Sequence, residues 1–74
     1  MKKIIGEIFP FEWNRHGEIL KYSLHDINGE EFLIESSRVK VNFERLINQK
    51  MMVLAKFSNK NHGSIAIHSL KRFH

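Results

Sequence analysis

Hydrophobic and polar residues alternate over much of the chain. Between residues 18 and 26, Leu20, Tyr22 and Leu24 fall on one face, and Lys21, Ser23 and His25 fall on the other. That is the period of two of a half-buried strand. Asn28-Gly29 follows, a strong hairpin signal because both residues tolerate positive φ. Residues 31–35 read as the return strand, with Phe32 and Ile34 on one face. Upstream, residues 3–11 are rich in Ile and Phe and read as a first strand. Pro10 suits its end or an edge, because proline cannot donate to a ladder. Asn14-Arg15-His16-Gly17 is a turn by composition.

The period then changes. Val39, Phe43, Leu46 and Ile47 form one stripe of a short amphipathic helix. Asn42 or Ser37 is the candidate cap, and Asn48 the candidate terminator. Residues 51–57 return to alternation, with Val53, Ala55 and Phe57 on one face; Met51 and Met52 either alternate, one in and one out, or join the aromatic trio as an apolar contact for a partner. A polar loop spans residues 58–63, and residues 64–70 read as a fifth strand with Ile65 and Ile67 inward. Residues 71–74 read as a frayed tail or a short extension. Strand, strand, strand, short helix, strand, strand is the order of an all-β, five-stranded OB-fold Greek-key barrel, with a short helix between strands 3 and 4 closing the open end. An SH3-like barrel is the alternative, but it does not normally need an amphipathic turn of this length there.

Length and composition agree with one domain over residues 1–74. A chain this short buries only roughly 60% of its unfolded surface, so every segment must contribute to one core. There is no cysteine, which excludes disulfides, cysteine zinc sites and thiol chemistry. Two-domain enzymes, Rossmann folds and TIM barrels do not fit the length. Behind Lys2 and Lys3, only Ile4-Ile5 is apolar before Gly6 and Glu7, so no signal peptide is expected. No run approaches the roughly 18 apolar residues of a membrane helix. The expectation is a soluble, cytoplasmic protein with no membrane partner.

The net charge is +4, and its distribution matters more than its sum. Acids crowd the middle, at Asp26, Glu30, Glu31 and Glu35. Residues 48–74 contain Lys50, Lys56, Lys60, Lys71 and Arg72 and no acid. One electropositive side is expected, suited to a polyanion, although +4 also serves ordinary solubility.

The layout resembles small OB-fold proteins that bind nucleic acid, in particular the S1-like fold of bacterial translation initiation factor one. The resemblance rests on Gly6-Glu7-Ile8 in the first strand, and on Tyr22-Ser23-Leu24 through Asn28-Gly29 to Phe32-Leu33-Ile34. It continues in the basic apolar-striped segment of residues 38–46 and in Gly63-Ser64-Ile65-Ala66-Ile67-His68. It spans nearly the whole chain through short motifs common to many OB-folds. Ser64 and His68 stand where that factor carries basic residues, and residues 10–16 lengthen the first connection, so ribosome binding is not carried over. Cold-shock proteins share Gly6-x-Ile8-Phe9 and Gly17-Glu18-Ile19, but their aromatic signatures are missing here. The resemblance implies the OB superfamily only.

OB-folds bind ligands across strands 2 and 3 and in the loops joining strands 1 to 2 and 4 to 5. Bases stack on aromatics there while a basic groove follows the phosphates. On this reading Phe11 and Trp13 stack on bases, and Arg15, Lys21, Lys56 and Lys60 neutralise phosphates. Asn14, His16, Asn61 and His62 exchange hydrogen bonds with bases, with His25 on the outward face of strand 2. Lys71 and Arg72 add diffuse attraction. Phe9, Phe11 and Trp13, spaced two apart, share one face, with core packing the alternative, above all for Phe9. Tyr22 and Phe32 read as core. The five histidines show no short ligand spacing, so no metal is expected. No nucleophile elbow, phosphate-cradling loop or deaminase signature is present, so neither catalysis nor a small-molecule cofactor is expected. The second function class is a protein-interaction module or homodimer, joined through a sheet edge at strand 1 or 5 and the exposed aromatics.

Overall fold

The structure is a computed structural model and describes residues 1–58 and 63–73. It is all-β apart from one turn of 3₁₀ helix. Five strands, β1 (Lys2–Trp13), β2 (Ile19–Asp26), β3 (Glu31–Ser37), β4 (Lys50–Phe57) and β5 (Ser64–Arg72), form one closed sheet in the order β1-β2-β3-β5-β4. Pairing is antiparallel except between β3 and β5, and β4 returns to β1 to close the sheet. No helix among the described residues is long and apolar enough to cross a membrane.

The alternation in the sequence builds the interior. Ile4 and Ile8 from β1, Leu24, Phe32, Met51, Val53, Ala55, Ile65 and Ile67 are buried in one cluster. Fully burying side chains of this size contributes roughly 1.5–3 kcal/mol each for the larger ones. Gly6 lies inside the same row of β1, opposite Asp26 on β2. Met51 is buried and Met52 half-buried, as alternation requires.

The expected amphipathic helix is instead a single 3₁₀ turn over Phe43–Leu46. Asn42 caps it, its side chain accepting from the Glu44 amide at 3.1 Å. Ser37 does not cap it. Its hydroxyl donates to the Val39 carbonyl and accepts from the Val39 amide, which holds Val39 in a separate turn. Val39, Phe43 and Leu46 still pack on the core, and the Tyr22 and Phe43 rings meet at 5.5 Å. Ile47 leaves the turn extended and bridges to Ile8. A full helix would lift Ile47 away from that bridge.

One open alternative is decided and two further expectations are corrected. Of the two readings of the C-terminal residues, Lys71 and Arg72 take the short extension and not the frayed tail: they belong to β5, paired with Met52 and Met51. The Phe73 amide extends that pairing to the Lys50 carbonyl at 2.9 Å. Leu20 does not share the inner face with Tyr22 and Leu24: it is 56% exposed. The ladder passes from Glu12↔Lys21 to Trp13↔Ile19, which leaves Leu20 outside the pairing. On β1 the ladder passes from Pro10↔Tyr22 to Glu12↔Lys21 and skips Phe11. This bulge interrupts the alternation expected to keep Phe9, Phe11 and Trp13 on one face. It also accommodates Pro10 inside a long strand.

Candidate nucleic-acid interface

Beyond Ile8 on β1 and before Ser23 on β2, the two strands pair only with each other. They form a two-stranded ribbon that extends from the closed sheet. Phe11 and Trp13 lie on it, 46% and 54% exposed, beside exposed Leu20. Arg15 and His16 are exposed at its tip. The tip is organised by Asn14. Its Oδ1 accepts from the amides of His16 at 2.8 Å and Glu18 at 3.0 Å, and its Nδ2 donates to Glu18 Oε1 at 3.0 Å. Gly17 takes the left-handed conformation, φ 83°, that completes the turn. Asn14 thus shapes the loop through all three of these bonds.

Phe9 is half-buried and packs its ring on His25, with centroids 4.6 Å apart. His25 is also tied to its neighbours on the outward face of β2 and β3. Its Nε2 lies 2.8 Å from Glu31 Oε2 and 3.2 Å from the Ser23 hydroxyl. Ser23 is fully buried beneath this group, although it belongs to the outward row. A serine, histidine and carboxylate in contact invite a catalytic reading. However, a proton relay uses both imidazole nitrogens, one toward each partner. Here one nitrogen faces both groups.

Lys21 pairs with Glu12 at 3.6 Å, both side chains about half exposed (53% and 47%). An ion pair this exposed adds little stability, on the order of 0–1 kcal/mol, but it places a carboxylate beside the lysine assigned to phosphate. Glu7, Glu12 and Glu31 are all exposed on this outward side. The side of the sheet that carries Lys21 and His25 is therefore rich in acid.

Lys56, Lys71 and Arg72 are exposed on β4 and β5. Lys60, Asn61 and His62 lie outside the described residues. Residues the sequence reading did not assign to a site also reach this side of the sheet. Lys3 lies opposite Leu54 on β4, and Lys50 opposite Glu7 on β1. Arg38 follows β3, its amide bonded to the Ile67 carbonyl of β5 at 2.8 Å. Its guanidinium donates to His68 Nδ1 at 3.3 Å. The alternation of Lys3 with Ile4 was visible in the sequence. Its meeting with β4, and that of Arg38 with β5, are pairings between distant segments.

Among the described residues, no group of three or more His, Asp or Glu side chains converges as a metal site would require. The edge expected at strand 1 or 5 is confined to the ends of those strands, where residues 9–13 of β1 pair only with β2 and residues 69–72 of β5 only with β4. Within the closed sheet β1 lies between β2 and β4, and β5 lies between β3 and β4. Unpaired strand edges remain along the projecting ribbon. Comparison with protein-family models, with curated proteins and with solved structures returned no match for this chain.

Proposed function

We propose that this chain is a small OB-fold protein that binds single-stranded nucleic acid without performing chemistry on it. The observation that carries this reading is the exposure of Phe11 and Trp13 on a ribbon whose tip bears Arg15 and His16. A sheet this small needs its large side chains inside, yet two aromatic rings are held out beside donors for phosphate. Stacking on such rings contributes about 1–3 kcal/mol per base. The OB assignment is supported by the strand order, by the parallel β3–β5 pairing, and by the apolar turn between β3 and β4. The basic balance adds a sequence-independent attraction.

A protein partner is the second reading, and Leu20 favours it. It is 56% exposed on the same ribbon as Phe11 and Trp13 and offers no stacking surface.

Trp13 is the only tryptophan, so its fluorescence reports on the ribbon directly. Titration with mixed-sequence single-stranded RNA and DNA, at low and moderate salt, is expected to quench it, with affinity falling as salt rises. Trp13→Ala is expected to weaken binding of a labelled strand by roughly tenfold, the equivalent of about 1.4 kcal/mol within the stacking range. Absence of binding at about 100 μM strand, weaker than typical non-specific affinity, would overturn the nucleic-acid reading in favour of a protein partner.

A further inference from the structure

The two sides of the closed sheet carry opposite charge. On the outward side of β2, β3 and the adjoining half of β1, Lys21 and His25 each face a carboxylate, at 3.6 Å and 2.8 Å. On the outward side of β4, β5 and the start of β1, Lys3, Lys50, Lys56 and Lys71 are exposed. Among the described residues none of these four is ion-paired, and Glu7, opposite Lys50, is the acid that borders them.

A groove of about 680 Å³ lies on this basic side, where β4 and the end of β3 flank β5. Ala66 pairs with Lys56 on one side and Ser36 on the other, so a methyl group forms the floor between longer walls. Arg38, Lys56, His68 and Ser36 line it, and no carboxylate does. A guanidinium can only donate, so His68 Nδ1 accepts from Arg38 and leaves the Nε2 proton as a further donor. Guanidinium, ammonium, imidazole N–H and hydroxyl in one concavity is the donor set for a phosphate oxygen.

We infer that the phosphodiester backbone of the bound strand lies in this groove, contacted by Arg38 and Lys56, and not across the β2–β3 face. The inference rests on the nucleic-acid reading above. It differs from that reading in where the charge-neutralising contacts fall.

The test uses the full chain and a labelled oligouridylate, followed by anisotropy over a range of salt. Arg38→Gln/Lys56→Gln is expected to make the log–log salt dependence shallower by about 1.4, at roughly 0.7 per phosphate contact on a single strand. Trp13 quenching at saturation should persist, because the ribbon is untouched. Both side chains are exposed, so unchanged thermal unfolding is expected. If the double variant melts early, Lys56→Gln alone is the test, with an expected change of about 0.7. A wild-type protein that binds and is quenched, with an unchanged slope in the variant, overturns this inference alone. A larger change from Lys21→Gln than from the double variant assigns the backbone to β2–β3 and also overturns it. A wild-type protein that binds no strand overturns the proposed function and this inference together.

Discussion

Gly6 sits where β1 passes closest to β2. A Cβ there would lie 2.2 Å from the His25 carbonyl oxygen and 2.8 Å from the Asp26 Cα. Both are backbone atoms, so no flexible side chain can move aside. Gly6→Ala is expected to destabilise by roughly 1–3 kcal/mol, about 4–8 °C of melting temperature per kcal/mol for a domain this size. A urea titration in which the midpoint does not move would contradict the close approach. Tyr22 carries a second residue-scale consequence. Burial, then the negative charge of Glu44, raises its phenol above the ordinary value of 10.0. The folded state therefore holds the proton to higher pH than the unfolded state does. Stability is complete below the unfolded value and falls as pH rises through the folded one. Tyr22→Phe should flatten that part of the alkaline loss, measured by thermal unfolding from about pH 8 to about pH 11, across the tyrosine range. Parallel curves for the two proteins would refute it. Tyr22 was legible as an inward residue from its alternation with Leu24. Leu20 was not, because alternation cannot announce the residue at which a ladder slips.

The two hairpin turns are one device used twice. Asn14-Arg15-His16-Gly17-Glu18 and Asp26-Ile27-Asn28-Gly29-Glu30 share the pattern Asx-x-x-Gly-Glu. In each, the first side chain accepts from the amides two and four residues on, and the glycine amide returns to its carbonyl at 3.1 Å. Each glycine has positive φ, whereas Asn28 does not. The second hairpin is thus a longer turn with one left-handed glycine, not the two-residue form that Asn-Gly suggests. Asn14→Ala removes both amide contacts and should cost about 1 kcal/mol. Asn14→Asp made together with Glu18→Gln, so that no carboxylate meets another where Asn14 Nδ2 now donates to Glu18 Oε1, should be tolerated, since Asp26 makes the same two amide contacts. Equal melting losses for the two variants would argue against the shared device. The 3₁₀ turn shows the opposite lesson. Its apolar stripe was readable, but its length was not. Short helices are marginal without tertiary support, and here the contact of Ile47 with Ile8 holds the chain extended after one turn.

At the scale of the whole molecule, closure of the sheet decides which charges become neighbours. The excess of basic residues after Asn48 was evident along the chain, and an electropositive side was expected from it. The sequence by itself determined the periods of the strands, the places of the two hairpin turns and most of the interior set from Ile4 to Ile67. These depend on residues within a few positions of each other, whose backbone preferences and inward or outward parity are local. Only the tertiary structure decided that β3 meets β5 in parallel and that β4 meets β1. It alone set the bulges that expose Phe11 and Leu20, and the opposition of Lys21 to Glu12. It also brought Arg38 beside His68 and Lys56. Parity states which face a side chain takes. It does not state which distant strand lies alongside, and that choice follows from how all five strands together bury one core.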